Sequence, residues 1–570
     1  MKAKSGVILS LLLVAAGFSA GAQTQKPFIE TLQEENAWVD SVFKKLNRRQ
    51  RIAQLFMVRA HTNLGQKYAD SVGRVIKKEK LGGVVFFQGG PGRQAAVTNQ
   101  YQELAKTPLL VAMDAEWGLG MRLDSTMSYP YQMTLGAIQD NKLIYEMGRQ
   151  IAKDFKRLGM QVNFAPVMDV NNNPKNPVIN YRSFGDNKYK VAEKGAAYMK
   201  GLHDEGVLVT LKHFPGHGDT DVDSHYDLPQ LKFTRERLDS LEMYPFKEVI
   251  AEGASGIMIA HMNIPALDPT PKLPSTLSKP IVTDILRNDL NYKGLIFSDA
   301  MDMKGVTKYF KDGEAEIRGL EAGMDVLELS ENSKLAVKKI RKAIRQKRLS
   351  WDRINASVKK VLAAKYWTGL NDLESVSSAN ILSDLSRPEA RVLNQQLADA
   401  AVTVLNSDSL ISGFDRSKKT ALVAIGTPQI MPFQTHLQTH FTNSLPFLID
   451  KKAAPADIER LLNDLEQYEQ IIVGVFDTRK RPGGTLDYSN DVKLLIPQLA
   501  KMNSIISVFA NPYTIAGLPG IEQAKTLLVN YQNSEQLQFS AFKVIKGEIK
   551  ATGKLPVTIN AFFKNGDGLN

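Results

Sequence analysis

There is no cysteine among the 570 residues. That absence removes disulfides, thiolate metal sites, iron–sulfur clusters and cysteine nucleophiles together. After the first two dozen residues there is also no apolar run long enough to span a bilayer, which excludes a multi-spanning membrane chain. A strong imbalance of charge is lacking: 72 Lys and Arg stand against 60 Asp and Glu. The resulting excess of +12 is spread out, with no arginine-rich arm and no basic run interleaved with aromatics. Nucleic-acid binding therefore has no footprint, and a mild attraction to anionic surfaces is the most the charge supports. No Gly-x-Ser-x-Gly elbow stands at a strand–helix turn, which argues against a serine hydrolase. What is present, 43% hydrophobic and 23% charged residues, is the composition of a globular protein. The length allows about two to four domains.

The N-terminus reads as an export signal. Lys2 and Lys4 precede an apolar stretch from Val7 to Phe18, and Ala20-Gly21-Ala22 gives a small-residue cleavage pattern before polar Gln23-Thr24-Gln25. No cysteine follows it, so it is not a lipoprotein signal. The expected mature protein, starting at residue 23, is periplasmic or extracellular, with no stable membrane insertion after cleavage.

From residue 23 to 370, short apolar runs alternate with amphipathic helical patterns. The expected strands are Ile52–Arg59, Gly82–Phe87, Leu109–Asp114, Gln161–Val167, Val207–His213, Gly256–His261, Leu295–Asp299 and Val326–Leu329. Helical patterns such as Asn141–Leu158, Lys190–Glu205 and Arg235–Glu252 separate them. This order implies an α/β fold, a TIM-type (β/α)8 barrel with long loops, with an open doubly wound sheet as the alternative. Polar groups stand at the strand ends: Arg59, Gln88, Asp114 with Glu116, Asp169, Lys212 with His213, His261 and Asp299. Barrel active sites lie at that edge. Residues 371–394 read as a linker. Residues 395–570 read as a smaller α/β sandwich, with expected strands Val402–Leu405, Ala421–Ile425, Ile471–Val475, Ile505–Phe509, Thr526–Val529 and Pro556–Ile559. Gly483-Gly484 lies in a basic, Pro-containing loop without the spacing of a phosphate cradle.

Three of the eight histidines fall between Lys212 and His225, along with three aspartates. Pro215, Gly216 and Gly218 forbid a regular helix there. His213 and His217 would align as metal ligands only on a helix, so no metal is expected. A salt-bridged capping loop is one remaining reading. The other is an acid/base pair in which the Asp223 carboxylate orients the His225 imidazole and raises its basicity. Asp299 in Phe297-Ser298-Asp299 is a carboxylate at a strand end, suited to act as a nucleophile. A carboxylate nucleophile with an acid/base is the arrangement of retaining glycoside hydrolysis.

The run from Lys212 to His225 resembles the signature loop of family 3 glycoside hydrolases, in their β-N-acetylglucosaminidase (β-N-acetylhexosaminidase) branch. Met113-Asp114-Ala115-Glu116-Trp117-Gly118 with Arg122, Asn176-Pro177 through Arg182-Ser183-Phe184-Gly185, and Phe297-Ser298-Asp299 resemble three further family segments in the family's order. The resemblance implies that Asp299 attacks the anomeric carbon, that His225 protonates the leaving oxygen and later deprotonates water, and that Asp223 orients His225. It further implies that Asp114, Arg122, Arg182, Lys212 and His213 bind the sugar. The substrate implied is a terminal β-linked N-acetylglucosamine on peptidoglycan fragments or related glycans, with no cofactor. Phosphate as the acceptor stays open, because the acid/base is not a carboxylate. Trp117 departs from the family, which usually has glycine there, and bears on fine substrate preference. A β-glucosidase or β-xylosidase of the same family, and a non-catalytic glycan-binding protein, are the alternatives. Nothing in the sequence gives the oligomeric state.

Overall fold

Parallel strands covered on both faces need continuous apolar runs, and such runs recur from Phe56 to Glu328. The computed structural model describes residues 26–224 and 226–569. The expected export signal, 1–22, lies outside the described residues. The runs become β1 (Phe56–Ala60), β2 (Gly83–Phe86), β3 (Leu110–Met113), β4 (Val162–Asn163), β5 (Leu208–Val209), β6 (Leu211–Phe214), β7 (Gly256–Ile259), β8 (Leu295–Ser298) and β9 (Leu327–Glu328). β5 and β6 are two halves of one strand. They part at Thr210, whose N–H donates to both the Asn163 and Ala165 carbonyls. Eight strand positions result, as the alternation implied.

All pairings among them are parallel, in the orders β5-β4-β3-β2-β1-β9 and β6-β7-β8. Bridges Val167↔Lys212 and Phe297↔Val326 join the two sheets at their edges, so the ring closes. Helices such as Asn141–Arg157 and Lys188–Asp204 form the outer layer. The first expected strand is shorter at its start than the apolar run. Asn47 and Gln50 form a capping box, and Arg48–Ala53 is a helix leading into β1.

The second sheet contains β10 (Thr403–Asn406), β11 (Thr420–Ile425), β12 (Ser444–Ile449), β13 (Gln470–Phe476), β14 (Ser504–Phe509) and β15 (Thr526–Val529). Its order is β10-β15-β14-β13-β11-β12, parallel except for β10. Side chains alternate between two cores. Val423, Val473 and Val508 join the cluster that is continuous with the barrel, while Leu422, Ile472 and Phe509 pack under Phe433 and Leu437 on the far face. This is an α/β sandwich, with two corrections. The expected strand Pro556–Ile559 is not one: Leu555 pairs locally with Gly566 and Asp567, and the Pro556 carbonyl accepts from the Asp186 N–H of the barrel. β12, not expected, is the edge strand. The segment expected as a connector holds the helix Ile381–Asp384 and the start of Pro388–Ala401. It is pinned to the barrel where Asn99 bonds both backbone groups of Val376.

Candidate active site

The strand ends converge on a paired-charge network. Asp114 directly follows β3, and Lys212 lies in β6. The Lys212 ammonium sits 2.7 Å from Asp114 Oδ1 and 2.8 Å from Glu116 Oε1. Arg122 donates to Asp114 Oδ2 at 2.6 Å. Arg182 grips Glu116 through Nη2 at 2.7 Å and Nε at 3.0 Å. Glu116 and Lys212 are buried, and an unpaired charge there would be costly. Burial pushes both carboxyls up, but the cations more than offset it. Lys212 and Arg122 hold Asp114 far below the carboxylate range, and Arg182 and Lys212 hold Glu116 at about 2. Both stay anionic at any working pH. They offer acceptors, and the arginines and lysine offer donors, to a polyhydroxylated ligand.

His213 is one step removed. Its Nδ1 lies 2.8 Å from Asp169 Oδ2, and Asp169 also accepts the His217 N–H at 2.6 Å. Burial raises the Asp169 carboxyl and His213 more than offsets it, so it too is held low. His217 contacts Thr220 Oγ1 at 2.7 Å and Ser224 Oγ at 3.3 Å. Burial, with His213 adding to it, pulls His217 down to about 4, so it is neutral. The loop expected to be irregular is thus stapled by its own histidines to Asp169, and by Asn176 Nδ2 to the His217 carbonyl at 2.8 Å.

Asp299 directly follows β8. Its N–H donates to the Ile259 carbonyl and its Oδ1 accepts the Ala300 N–H at 2.8 Å. The loop carrying Asp223 returns to this strand end, because the Gly305 N–H lies 3.4 Å from the Ser224 carbonyl. The Asp223 carbonyl accepts the Tyr226 and Asp227 N–H groups in a turn. His225 lies outside the described residues. Asp114, Arg122, Arg182 and Lys212 are therefore brought into one network, with His213 beside it, and Asp299 and Asp223 stand on adjoining strand-end segments.

Two groups escaped sequence reasoning. Glu116 stands among the strand-end residues and in a family-like segment but carries no expected role, yet it is the common partner of Lys212 and Arg182. Glu328 was hidden in an apolar run as the polar end of the eighth strand. Leu327 packs toward the helix carrying Gly319, so alternation turns Glu328 inward. It is buried, and among the described residues its Oε1 has no hydrogen-bond partner. Burial raises its carboxyl well above the usual range, and the Asp114 and Asp299 carboxylates add to the effect.

Residues 48–364 match the glycosyl hydrolase family 3 N-terminal domain. The chain belongs to glycosyl hydrolase family 3. It is similar to "Beta-hexosaminidase A" of Pseudoalteromonas piscicida, with 30% identity over 547 residues, covering 85% of this chain and 90% of that one. Among solved structures it resembles a family 3 β-N-acetylglucosaminidase from Paenibacillus sp. str. FPU-7, with 30% identity and a TM-score of 0.76, covering 90% of this chain and 99% of that one. It also shares the fold of "Beta-glucoside phosphorylase BglX", at 22% identity, a TM-score of 0.79, and coverage of 92% of this chain and 96% of that one. As a family 3 member the protein is a glycoside hydrolase. The family and the β-N-acetylglucosaminidase branch implied by its loop motifs are those of the β-hexosaminidase and β-N-acetylglucosaminidase relatives, and the barrel-plus-sandwich fold is that of the solved structures.

Proposed function

We propose that the protein is an exported, retaining exo-β-N-acetylhexosaminidase that releases terminal β-linked N-acetylglucosamine from peptidoglycan fragments or related glycans. The observation that carries this reading is the similarity, along nearly the full length, to proteins named β-hexosaminidase and β-N-acetylglucosaminidase. In the first step Asp299 attacks the anomeric carbon and the bond to the leaving oxygen breaks. His225, oriented by Asp223, gives that oxygen its proton. In the second step His225 takes a proton from water, which displaces Asp299 from the sugar. Asp114, Arg122, Arg182, Lys212 and His213 hold the sugar in this account. The rigid Asp299 backbone and the persistently ionised Asp114 and Glu116 suit a site that must position a sugar without titrating. The apolar stretch and small-residue pattern before residue 23 support export.

The test is release of p-nitrophenol from the β-N-acetylglucosaminide and the β-glucoside, assayed side by side with and without phosphate. The expected outcome is preference for the N-acetyl substrate, with free sugar as the product in both conditions. Preference for the glucoside would move the protein to the glucosidase branch, and a sugar 1-phosphate would make it a phosphorylase. Asp299→Asn is expected to lower turnover by at least roughly a thousandfold. Turnover that survived the change would remove Asp299 as the nucleophile.

A further inference from the structure

Most of the chain mixes its charges, but one stretch does not. From Lys334 to Arg348 there are five lysines, three arginines and no acid, against an excess of +12 for the whole chain. Glu331 and Asp352, the nearest acids in sequence, lie outside the run. Most of the run is the helix Ser333–Arg345 in the outer layer of the barrel. Ala336, Val337, Ile340 and Ala343 form its buried side and join the core. At about 3.6 residues per turn, the opposite side is Lys334, Lys338, Arg341, Lys342 and Arg345, spaced i, i+4, i+7, i+8 and i+11. All five are exposed, and among the described residues none of them forms an ion pair. Arg348, by contrast, is engaged by Glu314 and Glu321, each at 2.8 Å. The helix Arg48–Ala53 packs beside the basic helix. Exposed Arg48 lies over the Trp351 ring at 5.2 Å, just past the end of the run, and adds charge of the same sign.

Such a row works against the helix that carries it. Lys334 and Lys338, Lys338 and Lys342, and Arg341 and Arg345 are like charges four residues apart, which repel one another. The fold thus holds an unneutralised row roughly 16 Å long on a convex wall. We propose that this face is where the protein adsorbs to the surface of an anionic phospholipid bilayer. Charge complementarity sets the sign of the partner, and the make-up of the face sets its kind. The helix carries no aromatic residue, so nucleic-acid bases have nothing to stack on. Its apolar side is taken up by the core, so contact is electrostatic and at the surface, without insertion. Three of the five groups are lysines, compact charges on flexible stems that can follow headgroups moving in the plane of the bilayer. The row faces outward from the barrel wall and not from the strand ends where Asp114, Lys212 and Asp299 stand. Adsorbed protein therefore keeps its mouth open. The proposal does not depend on which sugar the mouth takes.

The probes are vesicles of phosphatidylcholine alone and of phosphatidylcholine mixed with phosphatidylglycerol. The protein from residue 23 onward is used, so that the apolar stretch before it cannot contribute, and binding is read by co-sedimentation at low and high salt. One variant replaces Lys334, Lys338, Arg341, Lys342 and Arg345 with Gln. A control variant removes the same charge from exposed positions of the second domain, by Gln at Arg416, Lys452, Lys501, Lys525 and Lys550. The parent is expected to bind the mixed vesicles, to leave the neutral ones in solution and to be released as salt rises. The helix variant should bind at least about a hundredfold more weakly, while the control stays within about threefold of the parent. The Tm of the helix variant should equal or exceed that of the parent, because the like-charge pairs are gone. If the five changes impair folding, Lys334→Gln/Lys338→Gln/Lys342→Gln should still give a partial loss of binding. No binding to the mixed vesicles, binding that the helix substitutions leave intact, or equal loss in the control overturns the proposal. Binding to soluble dextran sulfate without binding to vesicles would overturn the bilayer as the partner.

Discussion

Lys212 answers two carboxylates at once, so its loss cannot be local. Lys212→Met leaves Asp114 and Glu116 each short of a cation inside the barrel mouth. Breaking a buried pair from one side costs about 3–5 kcal/mol, so a fall of that size is expected in denaturant unfolding, together with a drop of roughly a hundredfold in kcat/KM. An unchanged unfolding midpoint would mean that the network is not held as described. Glu328 behaves in the opposite sense. Its folded-state carboxyl titrates above the unfolded value of about 4.3, so its contribution is fully present below that pH and is lost as pH rises through the folded value. Glu328→Gln keeps the shape and removes the titration. It is expected to raise Tm relative to the parent, by a margin that grows as pH rises above the unfolded value. A constant margin would show Glu328 to be ionised already. Sequence reasoning reached Lys212 because it ends a strand beside a histidine-rich loop. It passed over Glu328 because a single acid inside Val326–Leu329 does not interrupt the apolar pattern, and its meaning depends on two carboxylates distant in sequence.

Elements were legible where burial on both faces made a strand continuously apolar, as in β2, β3, β7 and β8. They were illegible at edges. In β12, Pro446 interrupts the run while Leu445 and Leu448 stay exposed, the composition of an edge strand and of many loops alike. Pro556–Ile559 has the composition of a strand, but its carbonyl at Pro556 is taken by Asp186 of the barrel, a partner no local pattern reveals. The 213–224 loop was readable as irregular from its proline and glycines, but its anchoring by Asp169 was not, since that contact spans more than forty residues. At the opposite end of the ring, β9 is entered through Asp325. Its carboxylate pairs with Arg287, and Arg353 and Lys360 each lie at 3.7 Å. Burial raises this carboxyl and the three cations more than offset it, so it is held very low. The stability it supplies is present above the unfolded value of about 3.9 and is lost as pH falls. Asp325→Asn is therefore expected to lower Tm at pH 7 and to converge on the parent in acid. Parallel Tm curves down to pH 3 would contradict this.

At the scale of the whole molecule, the two sheets share one continuous apolar cluster. Gln532 of the second sheet accepts from the Tyr131 N–H at 2.7 Å and from Thr134 Oγ1 at 2.9 Å, and Tyr513 bonds Asn171 at 2.9 Å. These contacts hold the turns that carry Tyr131 and Arg182. A chain of residues 23–370 alone would expose that apolar face, and it is expected to be insoluble or inactive on the N-acetylglucosaminide. Soluble, fully active material would show the second sheet to be dispensable. A covalent sugar on Asp299 can be trapped directly. The protein is incubated with an activated, fluorinated N-acetylglucosaminyl substrate whose release is slow, and the labelled peptide is located by mass spectrometry. One sugar per chain is expected, on the peptide containing Asp299, with no label in Asp299→Asn. A label on another residue, or a product of inverted anomeric configuration, would contradict it.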